Sequence, residues 1–89
     1  FAIFGQGDQL GYPDTYQDGM GMVYEKMING GGVGNIGFTS TDGYDFDESK
    51  GLIDGQWCGL SLDEDNQGEM TDERVENWCK VLLEEMKKI

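Results

Sequence analysis

The order in which strand-like and helix-like segments follow one another is the feature that most restricts how this chain can fold. The chain opens with a short apolar run at 1–4, FAIF, which is typical of a parallel strand buried on both faces. Apolar residues recur at helical spacing over 16–28 and again over 75–89, and strand candidates at 35–38 and 57–62 lie between these two helices. Strands that alternate with helices of this length predict an α/β fold with a parallel sheet.

The first predicted helix has clear boundaries and two unexpected glycines. Pro13 is acceptable in its first turn and Gly30 is a stop signal, so this helix is predicted to span about four turns. Gly19 and Gly21 lie inside it, although glycine costs about 1 kcal/mol relative to alanine within a helix. Either the helix packs closely against the sheet at these two glycines or it is intrinsically weak, and we favour close packing.

An acidic, turn-rich insertion at about 39–56 separates the strand candidates 35–38 and 57–62, which we interpret as two halves of one strand. Residues 63–69 are predicted to form a loop, and Thr71 is predicted to be the N-cap of the last helix. Two parallel strands alone would leave a sheet edge unpaired, and native proteins normally cover such edges. We therefore expect the chain to be part of a larger sheet, with further sequence preceding its first residue.

Charge and residue chemistry argue against several classes of function. Eighteen acidic and six basic side chains give a net charge of −12, which disfavours nucleic acid and anionic membranes and favours basic partners. No apolar run is long enough to cross a bilayer. The two cysteines, Cys58 and Cys79, lack CxxC spacing, so neither a disulfide framework nor a zinc site is predicted. Without histidine or a nucleophile paired with a base, hydrolytic and acyl-transfer catalysis have no support.

Four blocks of sequence, in this order and spacing, carry a resemblance to a known family. They are GQGDQLGYPDTYQD (5–18), TSTDGYDFDESK (39–50), DGQWCGLSLDEDNQ (54–67) and TDERVENW (71–78). Together they resemble the C-terminal half of a long-chain flavodoxin. The resemblance implies a flavodoxin-like three-layer α/β/α parallel sheet, of which this chain would supply strand 4, helix 4, a split strand 5 and helix 5.

The same resemblance implies how the chain is organised. Residues 1–89 would form the C-terminal half of a single domain, with the long-chain insertion at about 39–56. The first three strands of the family and its Ser/Thr-Gly phosphate loop have no counterpart here. The missing N-terminal half would therefore come from the same chain or from another one.

The resemblance also implies a cofactor and a function. Flavodoxins are low-potential, one-electron carriers that use FMN and are not enzymes in their own right, since the protein tunes the potential of the flavin. The family positions that contact FMN match eight residues of this sequence: Gln6, Gly7, Asp8, Tyr12, Thr15, Tyr16, Gln17 and Asp65.

These positions are assigned distinct roles, each with a plainer alternative. Tyr12 would lie flat against the isoalloxazine ring, or else be a turn tyrosine that packs on its own loop. Asp8 and the backbone before it would bind the pyrimidine edge, although a loop aspartate also commonly caps its own turn. Backbone N–H groups at 15–17 would meet a flavin carbonyl. Asp65 would lie near the ribityl chain, or be a solvated loop charge.

Redox partners follow from the same resemblance. Ferredoxin–NADP reductase and, in a phototroph, photosystem I are implied, whereas pyruvate- or nitrogenase-linked proteins would replace them in other bacteria. The compartment would be the cytoplasm, or the chloroplast stroma in an alga. We expect a docking face for these partners formed by the acids of two loops: Asp42, Asp45, Asp47, Glu48, Asp63, Glu64 and Asp65.

Two alternatives without a redox role stay open at this stage. DEDNQG at 63–68 repeats the first half of an EF-hand loop, which would make the chain an acidic calcium-binding or structural interaction module. The twelfth position of that loop is Arg74, where an EF-hand needs glutamate. TSTDGY at 39–44 could form a phosphate-binding nest on composition alone, but the acids that follow it would repel an anion.

Overall fold

Four short strands and three α-helices make up the part of the chain that the computed structural model describes, which is residues 1–31 and 34–88. In chain order the elements are β1 (Phe4–Gln6), α1 (Asp18–Asn29), β2 (Leu52–Ile53), β3 (Gln56–Trp57), β4 (Leu60–Leu62), α2 (Glu64–Gln67), a 3₁₀ turn (Gly68–Met70) and α3 (Thr71–Met86). No helix within these ranges is long and apolar enough to cross a membrane.

The parallel sheet is formed by β1 and β4. Phe4 pairs with Leu60, and the register continues to the end of both strands. Successive side chains of a strand point to opposite faces. Phe4 contacts Trp78 of α3, whereas the neighbouring Gly5 faces Met20 of α1, so the two helices cover opposite faces of β1. This arrangement confirms the predicted α/β layering with parallel strands.

The segment 35–38 lies beside the start of the chain without forming a regular strand. The terminal amine of Phe1 donates to the Gly34 carbonyl at 3.0 Å, and Ile36 N–H donates to the Phe1 carbonyl at 2.9 Å. This alternation is the pattern of a parallel pair, as the sequence predicts. The strand is interrupted because Gly37 has φ +83° and lies against Trp78, where a β-carbon would be 2.7 Å from the indole nitrogen.

The predicted strand 57–62 is divided into two pieces. Its first residue belongs to β3, which pairs with β2 in an antiparallel hairpin, and its last three residues form β4. Gly59 lies between the pieces, with its α-carbon packed so closely on the Ile3 carbonyl that a side chain would overlap it. This close approach is what places β4 beside β1.

Burial of the opening segment differs from the prediction. Residues 1–4 were expected to be buried on both faces, but the Phe4 side chain is 65% exposed and Ala2 is exposed as well. The cause is the free edge of β1, since β4 is its only neighbour among the described strands. That part of the expectation is wrong for this chain taken alone.

An aromatic cluster around Trp57 forms the core. Trp57 is fully buried, and its ring centroid lies 5.4 Å from those of both Tyr16 and Tyr44 and 4.8 Å from that of Phe46. Tyr44 and Phe46 belong to the predicted insertion. The insertion is therefore anchored in the core by two aromatic side chains, although most of its acids are exposed.

The helix boundaries agree with the sequence at one end of α1 and differ elsewhere. Gly30 caps α1 as predicted, but the helix begins only at Asp18, so it is about one turn shorter than expected. The predicted loop 63–69 is wrong, because α2 and the 3₁₀ turn occupy most of it. Thr71 is also not an N-cap: it is the first helical residue of α3, whose cap makes no side-chain hydrogen bond.

Candidate functional site

An open cavity of about 510 Å³ lies where β1 ends and α1 begins. In open α/β sheets, ligands bind outside the carboxyl ends of the strands, which is where this cavity is found. Seven of the eight residues predicted to bind a cofactor line it: Gln6, Gly7, Asp8, Tyr12, Thr15, Tyr16 and Gln17. Asp65 is not part of the lining. Its predicted contact with a ribityl chain gains no support from the cavity.

Asp8 shapes the loop that leads out of β1. Its Oδ1 atom accepts hydrogen bonds from Gly11 N–H and from the Asn66 side chain, both at 2.8 Å. The Gly11 bond, followed by the Asn66 bond, lowers the pKa of Asp8 below its ordinary value of 3.8. The carboxylate is therefore ionised at neutral pH and caps its own turn. Asp8 also lines the cavity, so its ionised carboxylate brings negative charge to the cavity wall.

Tyr12 is the most exposed aromatic side chain at the cavity. It is 67% exposed, and its ring contacts no other aromatic ring within residues 1–31 and 34–88. The loop holds its backbone in place, since Tyr12 N–H donates to the Asp8 carbonyl at 2.9 Å. A fixed backbone with a free aromatic face can stack against a flat ligand.

The turn before α1 carries both structural side chains and open backbone donors. Tyr16 is fully buried, accepts a hydrogen bond from Ser61 Oγ at 2.7 Å, and has its pKa raised above 10.0 by burial. Gln17 adopts a left-handed conformation at φ 60°, and its side chain donates to the carbonyls of Gly5 and Leu62. These side chains hold the turn, a role that the sequence analysis missed.

The backbone of this turn fits the predicted role better. Thr15 N–H is already used, since it donates to the Tyr12 carbonyl at 3.3 Å. The N–H groups of Tyr16 and Gln17 have no partner among the hydrogen bonds of the described residues. Two of the three predicted backbone donors are thus free at the cavity wall.

Asp63 is the most consequential residue that the sequence analysis placed wrongly. It was expected on an exposed acidic face, but it is fully buried. Its Oδ2 accepts from Gln9 N–H at 3.0 Å and from the Asn66 side chain at 2.9 Å, while its Oδ1 accepts from Asn66 N–H at 3.0 Å. Burial by itself raises the pKa of Asp63, but these hydrogen bonds outweigh that effect and lower it from 3.8. An aspartate directly before a short helix is an N-cap signal that could have identified this role.

The acidic loop does not have the geometry of a calcium site. Carboxylate oxygens of Asp8, Asp63 and Asp65 lie within 4.8 Å of one another. However, the first two already accept hydrogen bonds from N–H groups, which a cation would have to displace. The segment 64–67 is helical, whereas the ligands of an EF-hand come from alternate positions of an extended loop. The segment 39–44, which the sequence already disfavours as a phosphate-binding nest, has no helix directly after it in the described structure.

Curated flavodoxins are similar to this chain over most of its length, although no protein-family model matches it. The flavodoxin of Nostoc sp. (strain PCC 7120) is 50% identical over 84 residues, which cover 94% of this chain and 49% of that protein. The flavodoxin of Synechocystis sp. is 56% identical over 77 residues, covering 86% of this chain and 45% of that protein. Flavodoxin 2 of Escherichia coli is 45% identical over 87 residues, with coverages of 96% and 50%.

A solved structure agrees with these relatives. Fusobacterium nucleatum flavodoxin bound to flavin mononucleotide matches the fold with a TM-score of 0.87 at 33% identity, covering 94% of this chain and 50% of that one. The flavodoxin-like α/β fold predicted from the sequence is thereby confirmed. The chain spans about half the length of the curated relatives that it matches. By sequence and by fold, it belongs to the flavodoxin family as one part of a flavodoxin.

Proposed function

We propose that this chain forms the flavin-ring side of an FMN-dependent, low-potential one-electron carrier. The observation that carries the proposal is the cavity at the end of β1, which brings together seven residues predicted independently from the sequence. The flavodoxin of Fusobacterium nucleatum, whose structure contains flavin mononucleotide, has the same fold over this region. When bound, FMN supplies the electron chemistry, and the protein holds it and sets its potential.

The lining suits the ring of a flavin. Tyr12 offers an aromatic face, the free N–H groups of Tyr16 and Gln17 can donate to a carbonyl, and the Asp8 carboxylate can accept from a ring N–H. The net charge of −12 and the ionised Asp8 disfavour added negative charge at this site. These residues would therefore make full reduction of the flavin to its anion more difficult and lower the potential.

The lining does not suit a phosphate group. It contains no lysine or arginine, and two of its residues, Asp8 and Asp18, are acidic. We infer that the phosphate is held by the N-terminal half of the fold, in the same chain or in another one. The free edge of β1, the exposed Phe4, and Met22 and Val23 on α1 are surfaces that such a half would cover. In this proposal residues 1–89 are the C-terminal half of a single domain, with the insertion at about 39–56.

Tyr12→Leu tests the role of the exposed aromatic face. In the protein that carries this chain together with its N-terminal half, we expect FMN to bind about three- to tenfold more weakly, because an aromatic stack contributes about 0.5–1.5 kcal/mol. The second reduction potential should become less negative, since an electron-rich face no longer opposes the anionic hydroquinone. Quenching of flavin fluorescence measures the affinity, and a spectroelectrochemical titration measures the potential.

Leu10→Ala is the matched control, because Leu10 is exposed on the same loop and does not line the cavity. It should leave both values unchanged. A Tyr12→Leu protein that kept the wild-type affinity and potential would remove the stacking role. If the wild-type protein did not quench the fluorescence of added FMN, that result would contradict the proposed function as a whole.

The redox partners and the compartment are part of the same proposal. The relatives come from cyanobacteria and from Escherichia coli, which is compatible with either set of partners. In a phototroph, ferredoxin–NADP reductase and photosystem I are the partners we propose. In other bacteria, pyruvate- or nitrogenase-linked proteins replace them. The protein would act in the cytoplasm, or in the chloroplast stroma of an alga.

We propose an acidic docking face of six residues for these partners. Its members are exposed and belong to the insertion and to α2: Asp42, Asp45, Asp47, Glu48, Glu64 and Asp65. Asp63 is excluded because it is buried. Long-range attraction between such a face and a basic partner speeds association without requiring tight binding, which suits short-lived electron-transfer complexes.

Neutralising part of this face should slow partner association. The triple variant Asp42→Asn, Asp47→Asn and Glu64→Gln is expected to lower the association rate with ferredoxin–NADP reductase about tenfold at low salt and to flatten its ionic-strength dependence. Stopped-flow measurements over a salt series give both quantities.

A control of equal charge change lies on the helices: Glu25→Gln, Glu76→Gln and Glu84→Gln. If both triple variants slowed association equally, the effect would come from net charge alone. The docking face would then have no support.

A further inference from the structure

Gln9 is a polar side chain with almost no solvent exposure, at 1%. Its backbone N–H and both polar atoms of its side chain have partners that lie far away in the sequence. The backbone N–H donates to Asp63 Oδ2 at 3.0 Å, Nε2 donates to Gln67 Oε1 at 2.9 Å, and Oε1 accepts from Asp45 N–H. A buried side-chain amide that is bonded at both ends holds its surroundings in one arrangement.

Gln67 extends the same junction into the insertion. Its Nε2 donates to the Gly43 carbonyl at 2.7 Å, while its Oε1 accepts from Gln9. Two side-chain amides thus connect three separate segments of the chain: the loop after β1, the insertion, and α2. We name this pair of residues, Gln9 and Gln67, the amide junction.

The insertion holds the loop after β1 at a second point. Asp47 N–H and Glu48 N–H both donate to the Pro13 carbonyl, at 2.8 and 2.9 Å. The loop is therefore fixed at Gln9 and at Pro13, and the residues between these anchors are Leu10, Gly11 and Tyr12. These three are exposed, so their position depends on the two anchors and on the bonds that Gly11 N–H and Tyr12 N–H donate to Asp8, and not on burial of their own side chains.

We propose that Gln9 and Gln67 are positioning residues that fix Tyr12 at the cavity by tying its loop to the insertion. The part of this inference that concerns the flavin rests on the proposed function. The positioning of the loop does not, because every contact that carries it lies within this chain. Two alternative candidates carry less: among the acids at 8, 63 and 65 only Asp63 is fully buried and both of its oxygens already accept hydrogen bonds, and Cys79 is a single exposed thiol.

Gln9→Met and Gln67→Met remove the amide groups while keeping a similar side-chain length. The first readout is hydrogen exchange in the protein without FMN, followed at Gly11 N–H and Tyr12 N–H, which donate to Asp8. We expect exchange of both amides to accelerate at least about fivefold in each variant, since each loses two side-chain hydrogen bonds, at least one of them partly buried. Gln67 is only half-buried, so its variant remains informative if Gln9→Met does not fold.

Phe38→Leu is the matched control, because Phe38 packs on Tyr24 away from this loop and its truncation also lowers stability. A merely structural role for the amide junction predicts the same local exchange in all three variants once their global stabilities are matched with urea. That result would overturn the proposal.

The second readout is the second reduction potential of the FMN-loaded protein, which the two Met variants should make less negative, as Tyr12→Leu does. If wild-type protein binds no FMN while the exchange difference persists, the proposed function fails and the positioning of the loop stands.

Discussion

Replacing Asp63 by alanine is expected to lower the free energy of unfolding by about 2–4 kcal/mol. The substitution leaves the N–H groups of Gln9 and Asn66 without their acceptor in a fully buried position, and it removes the N-cap of α2. Both effects act in the same direction, because unpaired buried donors and a lost helix cap are each destabilising. Urea unfolding followed by far-UV circular dichroism measures the change.

Asp65→Ala is the control for this substitution. Asp65 is two residues away, carries the same charge, and is exposed. Its removal should change stability by less than about 0.5 kcal/mol, as for most surface positions. Equal effects of the two substitutions would mean that Asp63 acts only through its charge.

The same carboxylate makes stability depend on pH in a defined direction. Because the pKa of Asp63 in the folded state lies below 3.8, its ionised form stabilises the fold at pH values above about 4. That contribution is lost as the pH falls through the folded pKa. We expect Asp63→Asn to be less stable than the wild type at pH 7 and to lose less stability than the wild type between pH 5 and pH 2. Asp8, whose pKa is also lowered, keeps part of the dependence in this variant.

The predicted site residues lie together where they are close in the sequence. Six of the seven cavity residues that were predicted lie in one loop, between the end of β1 and the start of α1, and the seventh is the last residue of β1. Their proximity is fixed by chain connectivity once the strand and the helix are recognised. Asp65 comes from a different element, so its distance from the cavity depends on packing, and its contact with the ribityl chain stays a prediction.

Asp63 could not be placed by composition, because a buried and an exposed aspartate look the same in an acidic stretch. What buries it is the loop at Gln9, 54 residues earlier in the chain. Thr71 is a second residue whose role its residue type does not determine. It has the residue type of an N-cap, but the 3₁₀ turn before it continues directly into α3, so no cap position exists there. A long-range contact decided the position of Asp63 and the preceding 3₁₀ turn decided that of Thr71, whereas the glycine signal alone placed the end of α1 at Gly30.

The glycines of α1 differ in a way that only packing reveals, and alanine substitutions should separate them. Gly21 is buried, and a β-carbon there would overlap the Lys50 carbonyl and lie 2.8 Å from Gly51 N. Because these are backbone atoms, the insertion would have to move. The overlap outweighs the gain of about 1 kcal/mol in helix propensity. We therefore expect Gly21→Ala to lower the free energy of unfolding by a net amount of about 1–3 kcal/mol.

Gly19 is the matched control on the same helix. A β-carbon there has nothing within 4 Å, so the close packing expected from the sequence at this residue is wrong. Gly19→Ala should leave stability unchanged or raise it by up to about 1 kcal/mol, because only the propensity term remains. Thermal and urea unfolding of both variants test the pair.

Gly21 packs on Lys50 of the insertion and not on the sheet. Gly21→Ala should therefore also speed hydrogen exchange at Lys50 N–H, which donates to Asp18 Oδ1. Two alanine variants with the same stability and the same exchange at Lys50 would show that the insertion does not rest on α1.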